Sequence, residues 1–450
     1  MASGRENFGS STTAVLAMAG SAIGLGNIWR FPYMVGSNGG AAYIIVYLLL
    51  ALFLSLPILL SETIIGRSSA SNTFGAMEKL APGTRWKWVG LLTIISPLII
   101  LSYYSVVGGW SIEVLWKSVS EGFGESSPAL FGGFISKPWA PLVCHTIFLA
   151  LTAGIVMAGV KSGIEKFNNI SMPLLFILII IIMIYSISLP GASEGVEYLV
   201  KPDFSKLTPS AIASAMGQSF FSLSLGVGTI LTYSSYMKKD ADILASGFGT
   251  AVFDLLFALI AGFAIMPAVF AAGIEPGAGP GLIFETLPYI FGTMVSSSAA
   301  LGRIVSILFF LTIVVAALTS SISMFEVGAA YLVEERRMSR RKAVAVIFCG
   351  TWLLGALCSL SFGPLSGVTL FGETIFNFCD KLTSNFLMSF GSMLFVIFVG
   401  WKMKKSAVRQ EFTNGGTLRF STRLFGVVYF FIRYIAPLAI IAIFITNLLA

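Results

Sequence analysis

Gly20 to Tyr33, reading GSAIGLGNIWRFPY, concentrates polar chemistry inside an apolar stretch, Ser10 to Val35, that is long enough to cross a bilayer. It holds Gly20, Gly24 and Gly26, a polar Asn27, a cationic Arg30 and Pro32. Glycine and proline both disfavour a helix interior. In lipid, the backbone groups they free must find partners within the protein. Bared N–H groups at a helix start suit an anionic carboxylate, and bared carbonyls suit a hard cation. The plainer alternative is a kinked helix whose small residues pack against a neighbour. Intramembrane Asn and Arg argue against it, because such groups are expensive there and serve function.

A second stretch repeats the pattern. GQSFFSLSLGVGTILTYSSYMKKD, from Gly217 to Asp240, carries Gly226 and Gly228 halfway across and hydroxyls at Ser222 and Ser224. Interrupted apolar segments at corresponding places in two halves of a chain point to a central transport site. Other chemistries lack their residues. His145 is the single histidine, which removes His-based metal sites and a Ser-His-Asp triad. Cys144, Cys349, Cys358 and Cys379 have no metal-like spacing and read as small buried hydrophobes. No phosphate-cradling GxxxxGK[ST] loop is present, so coupling to ATP is not expected.

The elements that must hold these residues are membrane helices. The 450 residues are 56% hydrophobic and 11% charged, against about 25% charged in soluble domains. Eleven apolar segments stand out, at roughly 10–36, 41–66, 88–118, 139–157, 165–188, 211–237, 243–272, 300–334, 342–360, 369–401 and 423–449. With the N-terminus cytoplasmic, 20 of the 28 basic residues fall in inside pieces and only Lys117, Lys137, Lys201 and Lys206 outside. That asymmetry sets the orientation, N-terminus inside and C-terminus outside. It also accounts for the net charge of +7 without nucleic acid as a partner.

The stretches GSAIGLGNIWRFPY, SFFSLSLGVG, LTSSIS (Leu318 to Ser323) and GIEKF (Gly163 to Phe167) together resemble the neurotransmitter:sodium symporter family, in its bacterial amino-acid-transporting branch. The likeness runs from about Arg5 through segment eleven. It implies an all-α integral membrane fold of eleven helices, with helices 1 and 6 broken. Residues 1–190 would form one five-helix repeat, 211–402 its inverted copy, and 423–450 an extra helix. The protein would be no enzyme but a sodium-coupled importer in a bacterial inner membrane, monomeric or weakly dimeric, with amino acid, sodium and lipid as partners. A non-transporting sensor of the same fold is the alternative.

The resemblance places two Na⁺ sites. One uses the Ala22 carbonyl with Asn27, Ser222 and Asp254; the other uses carbonyls of Gly20, Ile23 and Ala316 with the hydroxyls of Thr319 and Ser320. Thr319 and Ser320 could instead bond back to their own helix or across helices. Asp254, in VFDLLFALIAGF near the start of segment seven, matches a position where many animal members have Asn and need chloride. With Ala258 one turn later, Asp254 would supply the compensating charge itself, ringed by Tyr47, Gln218 and Ser222. A helix-end Asp facing solvent is the competing reading.

Gly24 matches an Asp of monoamine carriers, so its absence here implies an α-amino acid substrate. The carboxylate would lie near Gly24 and Gly26 with Tyr104 donating, and the amino group would meet carbonyls of Ala22, Phe221 and Ser222, helped by Ser224. Ser21, Ile100, Phe221, Val227, Ser320 and Met324 would line a pocket without charge, for a neutral, hydrophobic or aromatic side chain. Phe221 and Tyr104 match the lid, Arg30 and Asp380 an outer ion pair with Tyr103 nearby, and Arg5 and Glu334 an inner one. Phe8 stands where the family usually has Trp. Arg5 also reads as a positive-inside anchor. Glu62, Glu113 and Glu326 are read as structural acids.

Overall fold

The computed structural model describes residues 6–120, 127–274, 282–288, 290 and 299–449. Ser10 starts the first helix by accepting from Thr13 N, and that helix, α1 (Ser11–Ala22), meets α2 (Gly26–Ser37) at a bend of 53°. Four unbroken spans follow: α3 (Ala41–Ser69), α4 (Lys87–Ser120), α5 (Ala140–Met157) and α6 (Val160–Ile187). The next crossing is split into α7 (Pro209–Ser222) and α8 (Thr229–Ser234). The chain continues through α9 (Ile243–Ala271), α10 (Ala299–Glu334), α11 (Arg340–Leu360), α12 (Ile375–Lys402) and α13 (Arg419–Ala442). Between α11 and α12, Thr369–Leu370 and Glu373–Thr374 form a small hairpin whose turn residues, Phe371 and Gly372, both have positive φ.

Among the described residues nine helices are long and apolar enough to cross a membrane, and the bent α1–α2 pair makes a tenth. The expected count of eleven is therefore not reached by length and composition alone. The segment that fails is 211–237, because its two pieces, α7 and α8, are each too short. The glycines that break it are the reason.

The broken helices lie at the centre. α1 packs on α6, α9 and α10, α8 packs on α3, and α4 runs along α5, α10 and α11. Burial against lipid-like neighbours gives little drive for helix association, so close backbone approach and polar contacts must specify the packing. Both are present. A Cβ on Gly66 of α3 would collide with the Leu231 carbonyl of α8. Thr152 and Ser321 join α5 to α10 at 2.8 Å, and Ser118 and Ser306 join α4 to α10 at 3.1 Å.

The intramembrane acids serve such contacts. Glu62 Oε1 accepts from Gly226 N at 2.7 Å, and Glu113 Oε2 accepts from Cys144 Sγ of α5 at 3.9 Å. Glu326 accepts from Tyr236 Oη at 2.7 Å and pairs with Arg340 at 2.6 Å. Asp254 is not at a helix end. It sits eleven residues after Ile243, about three turns in, because Asp242 caps α9 at Leu244 N and Ala245 N. It is wholly buried. Cys349, expected to be buried, lies on the outer surface of α11.

Candidate functional site

α1 ends at Ile23, whose backbone is extended, and the chain re-enters helix at Gly26 through a wide, π-type turn, Gly26–Arg30. Two of the N–H groups freed at this break are met by side chains. Asn27 Oδ1 accepts from Gly24 N at 3.1 Å, and the Tyr104 hydroxyl accepts from Leu25 N at 3.2 Å. The other break follows Leu223. Ser224, Gly226 and Gly228 all take positive φ, a conformation open to glycine and awkward for other residues. Glu62 holds Gly226 N there, and Thr229 Oγ1 donates to Ser224 O at 3.1 Å.

The two breaks face each other. Gln218 Nε2 donates to Gly26 O at 3.0 Å, and Ser224 Oγ donates to Ser21 O at 3.0 Å. Between them stands a buried polar cluster. Asn27 Nδ2 donates to Asp254 Oδ1 at 2.7 Å and to Ser222 Oγ at 3.0 Å. The Ser222 hydroxyl donates to the Asp254 carboxylate at 2.8 Å and accepts from Tyr47 Oη at 3.2 Å. Asn27, Ser222, Asp254 and Tyr47 are thus together, and Gln218 bonds instead to the carbonyl of Gly26, next to Asn27. The Asp254 carboxylate with the Ser222 and Tyr47 hydroxyls gathers oxygens of the kind that suit a hard cation, while Asn27 turns its NH₂ end to them and its oxygen to Gly24 N.

A second oxygen cluster joins α1 to α10. Thr319 Oγ1 lies 3.1 Å from Ile23 O and 2.8 Å from Ala316 O, and Ser320 Oγ lies 3.2 Å from both Ile23 O and Ser21 O. The carbonyl bonding anticipated for these hydroxyls therefore runs both within α10 and across to the break. Gly20 sits one turn before Ile23, with α6 against it.

Above these clusters lies a pocket. Ala22, Gly24 and Gly26 form one wall, and Ser224, Phe221 and Val227 form the opposite one. Ile100 and Tyr104 come from α4, Ser320 and Met324 from α10, and Met388 from α12. All of the anticipated substrate residues line it except Ser21 and Ser222. Ser21 turns its hydroxyl to Ser323 Oγ at 2.8 Å, and Ser222 belongs to the Asp254 cluster. No charged side chain lines the pocket. Tyr104 Oη and Ser320 Oγ both stand over Gly24, where a Cβ would collide with them. Met388 was not anticipated. Nothing in the local sequence of α12 marks it, since its place depends on how α12 leans on α7 and the second break.

A second cavity lies beyond Phe221 and Tyr104, which border both spaces and stand between them. Arg30, Asp380, Tyr33 and Tyr103 line it. The expected Arg30–Asp380 ion pair is not formed. Arg30 instead lies over the Phe221 ring at 4.8 Å, and Asp380 accepts from Ser384 Oγ at 2.9 Å. Tyr103 Oη is 3.1 Å from Thr383 Oγ1. At the other end, Glu334 accepts from Asn72 N and Nδ2 at 2.8 and 3.0 Å. Its expected partner, Arg5, lies outside the described residues. Phe8 is buried edge-on against Tyr233 and Tyr236, at 5.9 and 6.0 Å.

Comparison with known proteins supplies the context for this geometry. The sodium:neurotransmitter symporter family model matches residues 5–125 and 135–450. The sodium-dependent transporter YhdH of Bacillus subtilis is 39% identical over 435 residues, covering 96% of this chain and 95% of that protein. A sodium-dependent transporter of Haemophilus influenzae is 35% identical, covering 99% and 98%. Among solved structures, MhsT in complex with L-phenylalanine superposes with a TM-score of 0.89 at 41% identity, covering 98% of this chain and 99% of that one.

Proposed function

Since this chain belongs to the sodium:neurotransmitter symporter family, we propose that it imports a neutral, hydrophobic or aromatic L-amino acid together with sodium and without chloride. The observation that carries this reading is the uncharged pocket between two helix breaks, flanked by two oxygen clusters. MhsT, similar to this chain along almost its full length, binds L-phenylalanine. Here Val227, Met324 and Met388 give the pocket a pliable apolar wall for a side chain of that kind.

The roles follow from the groups. The substrate carboxylate lies by Gly24 and Gly26 against Tyr104 Oη, and the amino group meets carbonyls freed at Ala22, Phe221 and Ser222. One sodium occupies the Ala22–Asn27–Ser222–Asp254 group, and the other occupies Gly20, Ile23, Ala316, Thr319 and Ser320. Asp254 fills the place of a chloride, because a buried carboxylate balances the added cation. Residues 1–190 and 211–402 act as inverted repeats, with the N-terminus on the cytoplasmic side of a bacterial inner membrane. Sodium bridging α1 to α10 favours the outward-facing form, and its release frees the broken-helix bundle to rock. A few kcal/mol of differential affinity suffices to reverse such a two-state population.

Sodium titration of labelled L-phenylalanine binding, with gluconate in place of chloride, tests the reading. Binding should rise with sodium and be unchanged by chloride. Competition by leucine and tryptophan should exceed that by glycine and alanine. Binding that needs chloride, or a preference for glycine, contradicts it.

A further inference from the structure

Asn168 on α6 is wholly buried, yet its side-chain oxygen has no hydrogen-bond partner among the described residues. The NH₂ end of the same amide is used, donating to Ile164 O at 2.9 Å. The oxygen is therefore directed away from that carbonyl, toward α1. It meets α1 at Gly20, where any Cβ would collide with Asn168 Oδ1. Leaving a buried acceptor without a donor costs stability. A small apolar residue would have avoided that loss and packed against Gly20 equally well. The arrangement makes sense if the oxygen has an intermittent partner, and the adjacent chemistry is that of a cation held by Gly20, Ile23, Ala316, Thr319 and Ser320.

We propose that Asn168 Oδ1 is a transfer ligand for that sodium, receiving the ion as it leaves its five-oxygen site toward the end of the bundle that carries residue 6. This rests on the functional reading above, since it presupposes sodium at the α1–α10 cluster. The oxygens continue in that direction. Glu165, three residues earlier and so on the same helical face, is 8% exposed and accepts from Gly9 N at 3.0 Å. At the start of α6, Glu6 accepts from Val160 N at 2.6 Å and Lys161 N at 3.1 Å. Asn168, Glu165 and Glu6 thus mark one seam between α6 and the N-terminal segment, from Gly20 to the surface. The two carboxylates also offset the positive end of the α6 dipole, which would otherwise oppose a departing cation.

The test uses the full chain in proteoliposomes and in detergent, with labelled L-phenylalanine and sodium as probes. Asn168→Ala and Asn168→Leu remove the oxygen, and Asn168→Asp keeps the shape while adding charge. The Ala and Leu variants should bind phenylalanine with sodium half-saturation within twofold of wild type. Their net sodium-driven uptake should fall about tenfold, and exchange of internal for external phenylalanine should fall with it, because both need this sodium to leave before the bundle can rock. The Asp variant should hold sodium at least threefold more tightly and also slow net uptake. Wild-type net uptake in the Ala and Leu variants overturns the proposal. So does an equal loss of binding, uptake and exchange in all three, which would mark Asn168 as merely structural. A sodium affinity weakened more than fivefold by Ala overturns the relay as well, placing the oxygen in the resting site. Wild-type binding indifferent to sodium overturns the functional reading itself, and the transfer role with it.

Discussion

The two helix breaks use the same residue for opposite reasons. At the second break, a Cβ on Gly226 would collide with the Met388 carbonyl and come within 2.7 Å of Ser392 N, both backbone atoms of α12. With φ of +78°, Gly226 is also in a conformation that other residues rarely adopt. At the first break, the glycines face side chains. Gly24 lies under Ser320 Oγ and Tyr104 Oη, and a Cβ on Gly26 would sit 2.9 Å from a carbon of the Phe221 ring. Glycine at the second break lets the scaffold close. Glycine at the first leaves room for the side chains that line the pocket between the breaks. One glycine set fits backbone to backbone, and the other fits backbone to the side chains of the pocket.

That contrast can be broken most severely at Gly226. Gly226→Ala should destabilise the protein by about 3 kcal/mol or more, because neither the backbone of α12 nor the positive φ can give way. A drop in thermal midpoint, or failure to purify as a monodisperse species, measures it. Gly24→Ala should leave the thermal midpoint nearly unchanged while weakening phenylalanine binding roughly 100-fold, or about 2.7 kcal/mol. If both substitutions damage stability alike, the distinction between the breaks fails. Next comes Thr319→Val, which keeps shape and removes one oxygen. Sodium half-saturation should rise about tenfold, near 1.4 kcal/mol, with the Asp254 cluster intact. The smallest effect is expected from Arg30→Gln. Stacking of a cation on an aromatic face contributes about 0.5–2 kcal/mol, so substrate release should quicken severalfold in a dissociation assay while equilibrium sodium affinity stays put.

What could be read from the chain alone follows from how local each signal is. Gly24, Gly26, Asn27, Arg30 and Pro32 are adjacent in sequence and improbable together in lipid, so the first break declared itself. Gly226 and Gly228 did the same for the second. The ligand groups needed the family likeness, because Asn27, Ser222 and Asp254 are joined across 195 and 227 positions of the chain. Contacts that depend on how helices lean were not legible. Met388 reaches the pocket, and Asn168 meets Gly20, through packing that no local pattern encodes. Arg30 and Asp380, expected as an ion pair, border one cavity, but Arg30 stacks on Phe221 instead of pairing. A guanidinium can satisfy itself on an aromatic face as well as on a carboxylate. The sixth segment escaped a length test because it is cut in two.

Accumulation of labelled L-phenylalanine in proteoliposomes, driven by an inward sodium gradient with chloride replaced by gluconate on both sides, tests the central claim most directly. Uptake should overshoot its equilibrium level, collapse when the sodium gradient is dissipated, and proceed equally with chloride restored. Sodium-dependent binding without any accumulation would contradict it and identify a sensor built on the same frame.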